Sequence, residues 1–134
     1  MYIVLNTIIM KKIIKTNNAP APIGPYNQAV MTGNMLFISG QIAINPENDH
    51  LLVGDIDVET HQVMKNLQAI LTEAGMDFSN VIKTSIFLSD MSHFAKVNEI
   101  YHTYFEGDFP ARETVAVLGL PKSVNVEISM IASK

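Results

Sequence analysis

The chain has 134 residues, 48% of them hydrophobic and 16% charged, with a formal net charge of -4. That is one domain's worth of sequence, able to bury about two-thirds of its unfolded surface around a single core. Cysteine is absent, which excludes disulfides, thiolate nucleophiles and cysteine zinc sites and agrees with a reducing, cytoplasmic setting.

The only cluster of positive charge is Lys11, Lys12 and Lys15. Three lysines near one end do not make the basic stripe that a phosphate-backbone binder needs, so nucleic acid is not an expected partner. The opening "MYIVLNTIIMKK" carries its lysines after an apolar run. That order is the reverse of a secretory signal, and the run is far short of the ~20 apolar residues of a membrane span. Residues 1–9 read as an upstream extension and 10–134 as one domain.

A first strand is expected in "MKKIIKT". "NNAPAPIGPY" (17–26) holds three of the six prolines and must be extended or turning. "QAVMTGNMLFISGQI" (28–42) reads as a hairpin with Gly33-Asn34 as its two-residue turn, and 44–55 reads as a loop. A helix is predicted from an N-cap at Asp57, with Val63, Leu67, Ile70, Leu71 and Ala74 at helical spacing and Gly75 at its end. "NVIKTSIFLSD" (80–90) is β-rich, and "SHFAKVNEIYHTYF" (92–105) is again helical. The last two strands lie within "FPARETVAVLGLPKSVNVEISM" (109–130). The order predicts an α+β fold, a single sheet with two helices packed on one face.

Strand parity assigns the polar residues to faces. Val124, Val126, Ile128 and Met130 form the helix-side set of the last strand, which turns Glu127 away from the helices. Val115 and Val117 are taken as the helix-side pair of the preceding strand, placing Arg112 and Thr114 with Glu127 on the opposite face. Ser39 joins them, as do the apolar Met35, Phe37, Ala116 and Leu118. A mixed apolar and polar face of this kind suits subunits packed sheet against sheet, with polar groups gathered in clefts between them. Arg112 and Glu127 equally fit a plain cross-strand ion pair. What favours chemistry is that arginine is the fork-shaped donor for a carboxylate, and a nearby acid can handle a proton or a water.

"APAPIGPYNQAV", "LFISGQI", "VIKTSIFLSDMSHFAKVNEIYHTYF", "FPARETVAV" and "LPKSVNVEISMIA" together resemble the Rid family, the YjgF-type imine deaminases, from about Met10 to Ala132. The resemblance implies a chorismate-mutase-like fold and a homotrimer with sheets facing inward and active sites between subunits. It implies hydrolysis of enamine or imine intermediates such as 2-aminoacrylate and 2-iminobutanoate to 2-oxo acids and ammonia. No cofactor and no metal are implied. By position, Arg112 matches the clamp on the substrate carboxylate and Glu127 the acid that orients water. Tyr26, Ser39, Gln41 and Asn98 match positions in or beside the pocket. Thr114 stands where the family often has cysteine, at a point where the backbone contacts substrate. The same cleft would also serve a regulatory trimer that binds a small 2-oxo or amino acid without turnover. A ribonuclease or translation inhibitor ranks last, because the sequence lacks a basic surface with stacking aromatics.

Overall fold

The computed structural model describes residues 10–134, and the extension read at 1–9 lies outside the described residues. Six strands form one sheet: β1 (Lys12–Ile14), β2 (Ala29–Thr32), β3 (Met35–Gln41), β4 (Val81–Leu88), β5 (Ala111–Ala116) and β6 (Val126–Ser133). Their spatial order is β1-β2-β3-β6-β4-β5, antiparallel except for the β4–β5 pair. Two helices, α1 (Ile56–Glu73) and α2 (Phe94–His102), complete the α+β architecture expected from the element order. No described helix is long and apolar enough to cross a membrane.

The β2–β3 hairpin turns on Gly33 and Asn34 as the sequence predicts, with Gly33 at φ 55°, a conformation that glycine adopts without strain. Helix α1 starts two residues earlier than expected. Its N-cap is Asp55, whose side chain accepts from the backbone N–H groups of Asp57 and Val58. Asp57 itself lies in the first turn. The helix closes with Gly75 at φ 71°, where its C-terminal carbonyls are met by following N–H groups.

The core lies between the helices and one face of the sheet. It contains Val63, Met64, Leu67, Ile70 and Leu71 of α1, with Leu36, Ile38, Ile86, Leu88, Val126, Ile128 and Met130 from the strands. Burial along β6 alternates strictly, so Glu127 points away from the helices as its parity requires.

Strand β5 differs from expectation. Lateral partners in a sheet share a face, and Arg112 pairs with Thr84, Thr114 with Ile86 and Ala116 with Leu88, all three partners fully or almost fully buried under the helices. Arg112, Thr114 and Ala116 therefore lie on the helix side, and Val115 lies on the open face with Glu113. The reason is positional. β5 is an edge strand whose helix-side positions are only partly covered, so its one valine gains little by facing that way. Val115 joins the apolar open face beside Phe87 instead.

That open face carries a lateral row across five strands, Ile13–Val30–Phe37–Ile131–Lys83, flanked by Met35, Phe87 and Val115. Phe37 is 45% exposed and Val115 42%. Leu118 lies past the end of β5 and is fully exposed.

Candidate active site

The expected site residues, apart from Thr114, which lines neither, fall into two clefts rather than one. The first has a volume of about 570 Å³ and is lined by Tyr26, Ser39, Gln41 and Glu127, together with Gly40, Lys122 and apolar side chains that include Ile23, Ile42 and Ile44. The second, of about 410 Å³, is lined by Asn98 and Arg112 with Tyr101, His102, Phe109 and Pro110. Arg112 and Glu127 thus lie on opposite faces of the sheet. The cross-strand ion pair left open by the sequence does not form.

The first cleft is built from the proline-rich segment, the end of β3 and the start of β6. Buried Gln28 fixes the segment: its amide nitrogen donates to the carbonyls of Thr16, Ala19 and Pro20, and its oxygen accepts from Thr16 N. The Tyr26 hydroxyl accepts from Ile23 N at 3.3 Å. Ser39 donates through Oγ to the Asn27 carbonyl at 2.6 Å, and Gln41 donates through Nε2 to the Ser39 carbonyl at 3.2 Å. These two side chains therefore brace the wall while facing the cavity. At the irregular step where β3 changes register against β6, Gly40 lets the Glu127 carboxyl come close. A Cβ built on Gly40 would lie 2.8 Å from Glu127 Cδ.

Glu127 is half-buried and has no ion-pair partner among the described residues. Burial pushes its carboxyl above the usual glutamate range, since a charge in a poorly hydrated cleft is disfavoured. Its acid therefore titrates closer to neutrality, as a group that both takes and gives a proton requires.

Around Arg112 the chemistry is cationic. The guanidinium stacks 5.0 Å from the Tyr101 ring centroid and 5.9 Å from that of Phe94, a favourable cation–π arrangement. Tyr101 is itself anchored, donating to Thr84 Oγ1 at 3.0 Å. No described carboxylate pairs with Arg112, so its donor edge is available to an anion. Two residues on, the Thr114 hydroxyl is buried without a hydrogen-bond partner. The open-face acid beside Arg112 in sequence, Glu113, is taken up by Lys83 and Ser85.

Sequence reasoning missed Gly40, although a glycine inside a strand is a usual sign of close approach. It also missed Tyr101 and Phe94 as the platform for Arg112. The described residues hold no cluster of three or more metal-ligating side chains.

The family model described as Endoribonuclease L-PSP matches residues 16–134. A RutC family protein of Pyrococcus horikoshii is 51% identical over 125 residues, 93% of this chain and 99% of the relative. The 2-iminobutanoate/2-iminopropanoate deaminase of Mus musculus is 48% identical over 124 residues, 92% of each chain. Among solved structures, a conserved Rid protein of Yersinia pestis superposes with a TM-score of 0.91 at 46% identity, covering 93% of this chain and all of the other. With its sheet, its two helices and nearly its whole length matched in this way, the chain belongs to the Rid (YjgF-type, endoribonuclease L-PSP) family.

Proposed function

We propose that this protein hydrolyses enamine and imine intermediates of the 2-aminoacrylate and 2-iminobutanoate type to 2-oxo acids and ammonia, working as a homotrimer. One observation carries the proposal. An unpaired arginine on one face of the sheet and an elevated carboxyl on the other each line an open cleft. Neither half can act alone on a small substrate that bears both a carboxylate and a C=N bond. The two halves become one site when Arg112 of one subunit meets the Glu127 cleft of the next, and the exposed apolar face of the sheet is what such subunits would bury.

In that site the enamine tautomerises to the imine, whose carbon is electrophilic. Arg112 holds the substrate carboxylate through two parallel N–H donors and so orients that carbon. Glu127 takes a proton from the attacking water, the new C–O bond forms, and the proton passes to nitrogen. Collapse of the carbinolamine passes its hydroxyl proton to nitrogen, breaks the C–N bond and releases ammonia and the 2-oxo acid. Every atom is accounted for by substrate and one water, so the reaction as written needs no cofactor. The mouse relative's deaminase name supports this reading. The net charge of -4 speaks against a ribonuclease role.

The test is subunit mixing. Arg112→Ala and Glu127→Ala are each expected to be inactive in ammonia release from freshly generated 2-iminobutanoate. Co-refolded at equal amounts, they assemble trimers in which about a quarter of all sites have both residues intact, and activity returns to that level. If the mixture stays inactive while both variants form trimers, the shared site is wrong. A parent protein that binds 2-oxobutanoate but does not accelerate ammonia release would be a sensor rather than an enzyme.

A further inference from the structure

Glu59 is a carboxylate with 0% exposure that the reaction does not use. It lies in the first turn of α1 and has no cationic partner among the described residues. Its two oxygens instead accept three hydrogen bonds from the entry to β6: Asn125 N at 2.6 Å and Val126 N at 3.1 Å to Oε1, and Asn125 Nδ2 at 3.1 Å to Oε2. Asn125 is held from the other side by Ser89, through Oγ to Asn125 Oδ1 at 2.7 Å and through N to the Asn125 carbonyl at 3.0 Å. The stretch just before it is strained. Lys122 and Ser123 both have positive φ, 54° and 56°, and Lys122 lines the Glu127 cleft.

A buried carboxylate is costly unless its lone pairs are filled, and here they are filled by two consecutive backbone N–H groups directly before Glu127. We infer that Glu59 is a positioning residue for the reaction, fixing the backbone of Asn125 and Val126 so that Glu127 enters the cleft against Gly40. The inference rests on the reading of Glu127 given above. Charge on Glu59 is not what matters. Its reach and its acceptor atoms are, since one oxygen must serve two adjacent N–H groups.

That distinction sets the test, made on the assembled protein with Glu59→Gln, Glu59→Asp and Glu127→Gln beside the parent. Glu59→Gln keeps a carbonyl for both backbone donors; its amide N–H then meets Asn125 Nδ2, a clash that a flip of the Asn125 amide relieves with Ser89 Oγ accepting in turn, so kcat should hold within about threefold. Glu59→Asp keeps the charge but falls short by one methylene, about 1.5 Å. It should lower kcat about tenfold with KM little changed, as a displacement of the catalytic group does. The acid limb of its kcat–pH profile should also move down, because a Glu127 freed from its seat is better hydrated; Lys122 and Tyr26 are the other titratable side chains of the same chain lining that cleft, and in the proposed assembly the partner subunit's Arg112 faces it in parent and variant alike. A merely structural role would lower melting temperature without moving the limb. The inference is overturned if Glu59→Asp is folded with parental kcat and pH limb, or if Glu59→Gln loses as much kcat as Glu59→Asp. Parental kcat in Glu127→Gln would instead sink the functional reading, and the positioning role with it.

Discussion

Gly40→Ala tests the contact that brings Glu127 into place. The new methyl carbon would lie 2.8 Å from Glu127 Cδ and 3.0 Å from Cγ and Oε1, whereas carbon atoms in good contact are about 3.5–4.0 Å apart. Something must therefore move by about 0.7–1 Å, and the end of a glutamate side chain yields more easily than two strands. Gly40 does not have positive φ, so alanine fits the backbone and should gain about 0.5–1 kcal/mol from the restricted unfolded chain. Stability should thus be kept while the carboxyl is displaced. A misplacement of about 1 Å can cost about a hundredfold in rate, so kcat for imine hydrolysis should fall about ten- to a hundredfold. The assay is ammonia release under saturating substrate, with thermal melts run in parallel. A double-mutant cycle isolates the cause: in a Glu127→Gln background the same alanine should cost almost nothing, because the group it displaces has already lost its chemistry. Equal losses in both backgrounds, or an unchanged kcat, would refute the reasoning.

Other substitutions probe the remaining parts of the site. Arg112→Lys should lower kcat/KM about thirty- to a thousandfold, equivalent to about 2–4 kcal/mol, because an ammonium cannot make two parallel bonds to a carboxylate; parental turnover would return Arg112 to a packing role on Tyr101. Thr114→Cys should stay within about tenfold of the parent, since no step uses a thiol; a much larger gain would mean that threonine had disabled the site. Glu127→Gln should raise stability at alkaline pH but not at acid pH. Burial raises the folded-state pKa of Glu127, so its favourable contribution is complete below the unfolded glutamate value and is lost as pH rises through the folded one; melting curves at pH 4 and pH 8 that differ equally from the parent would contradict this.

How far the sequence could be read depended on whether each residue had one plausible environment. The β2–β3 turn had one: two residues that tolerate positive φ between apolar runs. So did β6, where Val126, Ile128 and Met130 alternate with Glu127 and Ser129 and only one face could be dry. Strand β5 had two. Parity correctly grouped Arg112 with Thr114 and Ala116 and set them against Glu113 and Val115, but parity says which residues share a face, not which face that is. Placing Val115 toward the helices rests on the premise that valines seek the core. In this fold the open face is apolar too, with Phe37, Phe87 and Ile131 on it, so the premise has no force at an edge strand. A further signal was present and unused. Counting back along the buried stripe of α1 from Leu67 through Val63 in steps of four leads to Glu59, so a carboxylate sits where a hydrophobic residue belongs. A charge on the dry side of a helix must be met by donors from elsewhere in the chain, and no local pattern can name them. They come from residues 125 and 126, more than sixty positions away. The same logic explains the divided site. A sequence can propose that Arg112 and Glu127 serve one substrate, but their separation to opposite faces of one sheet is visible only once the strand order is known, and it makes a second copy of the chain part of the chemistry proposed here.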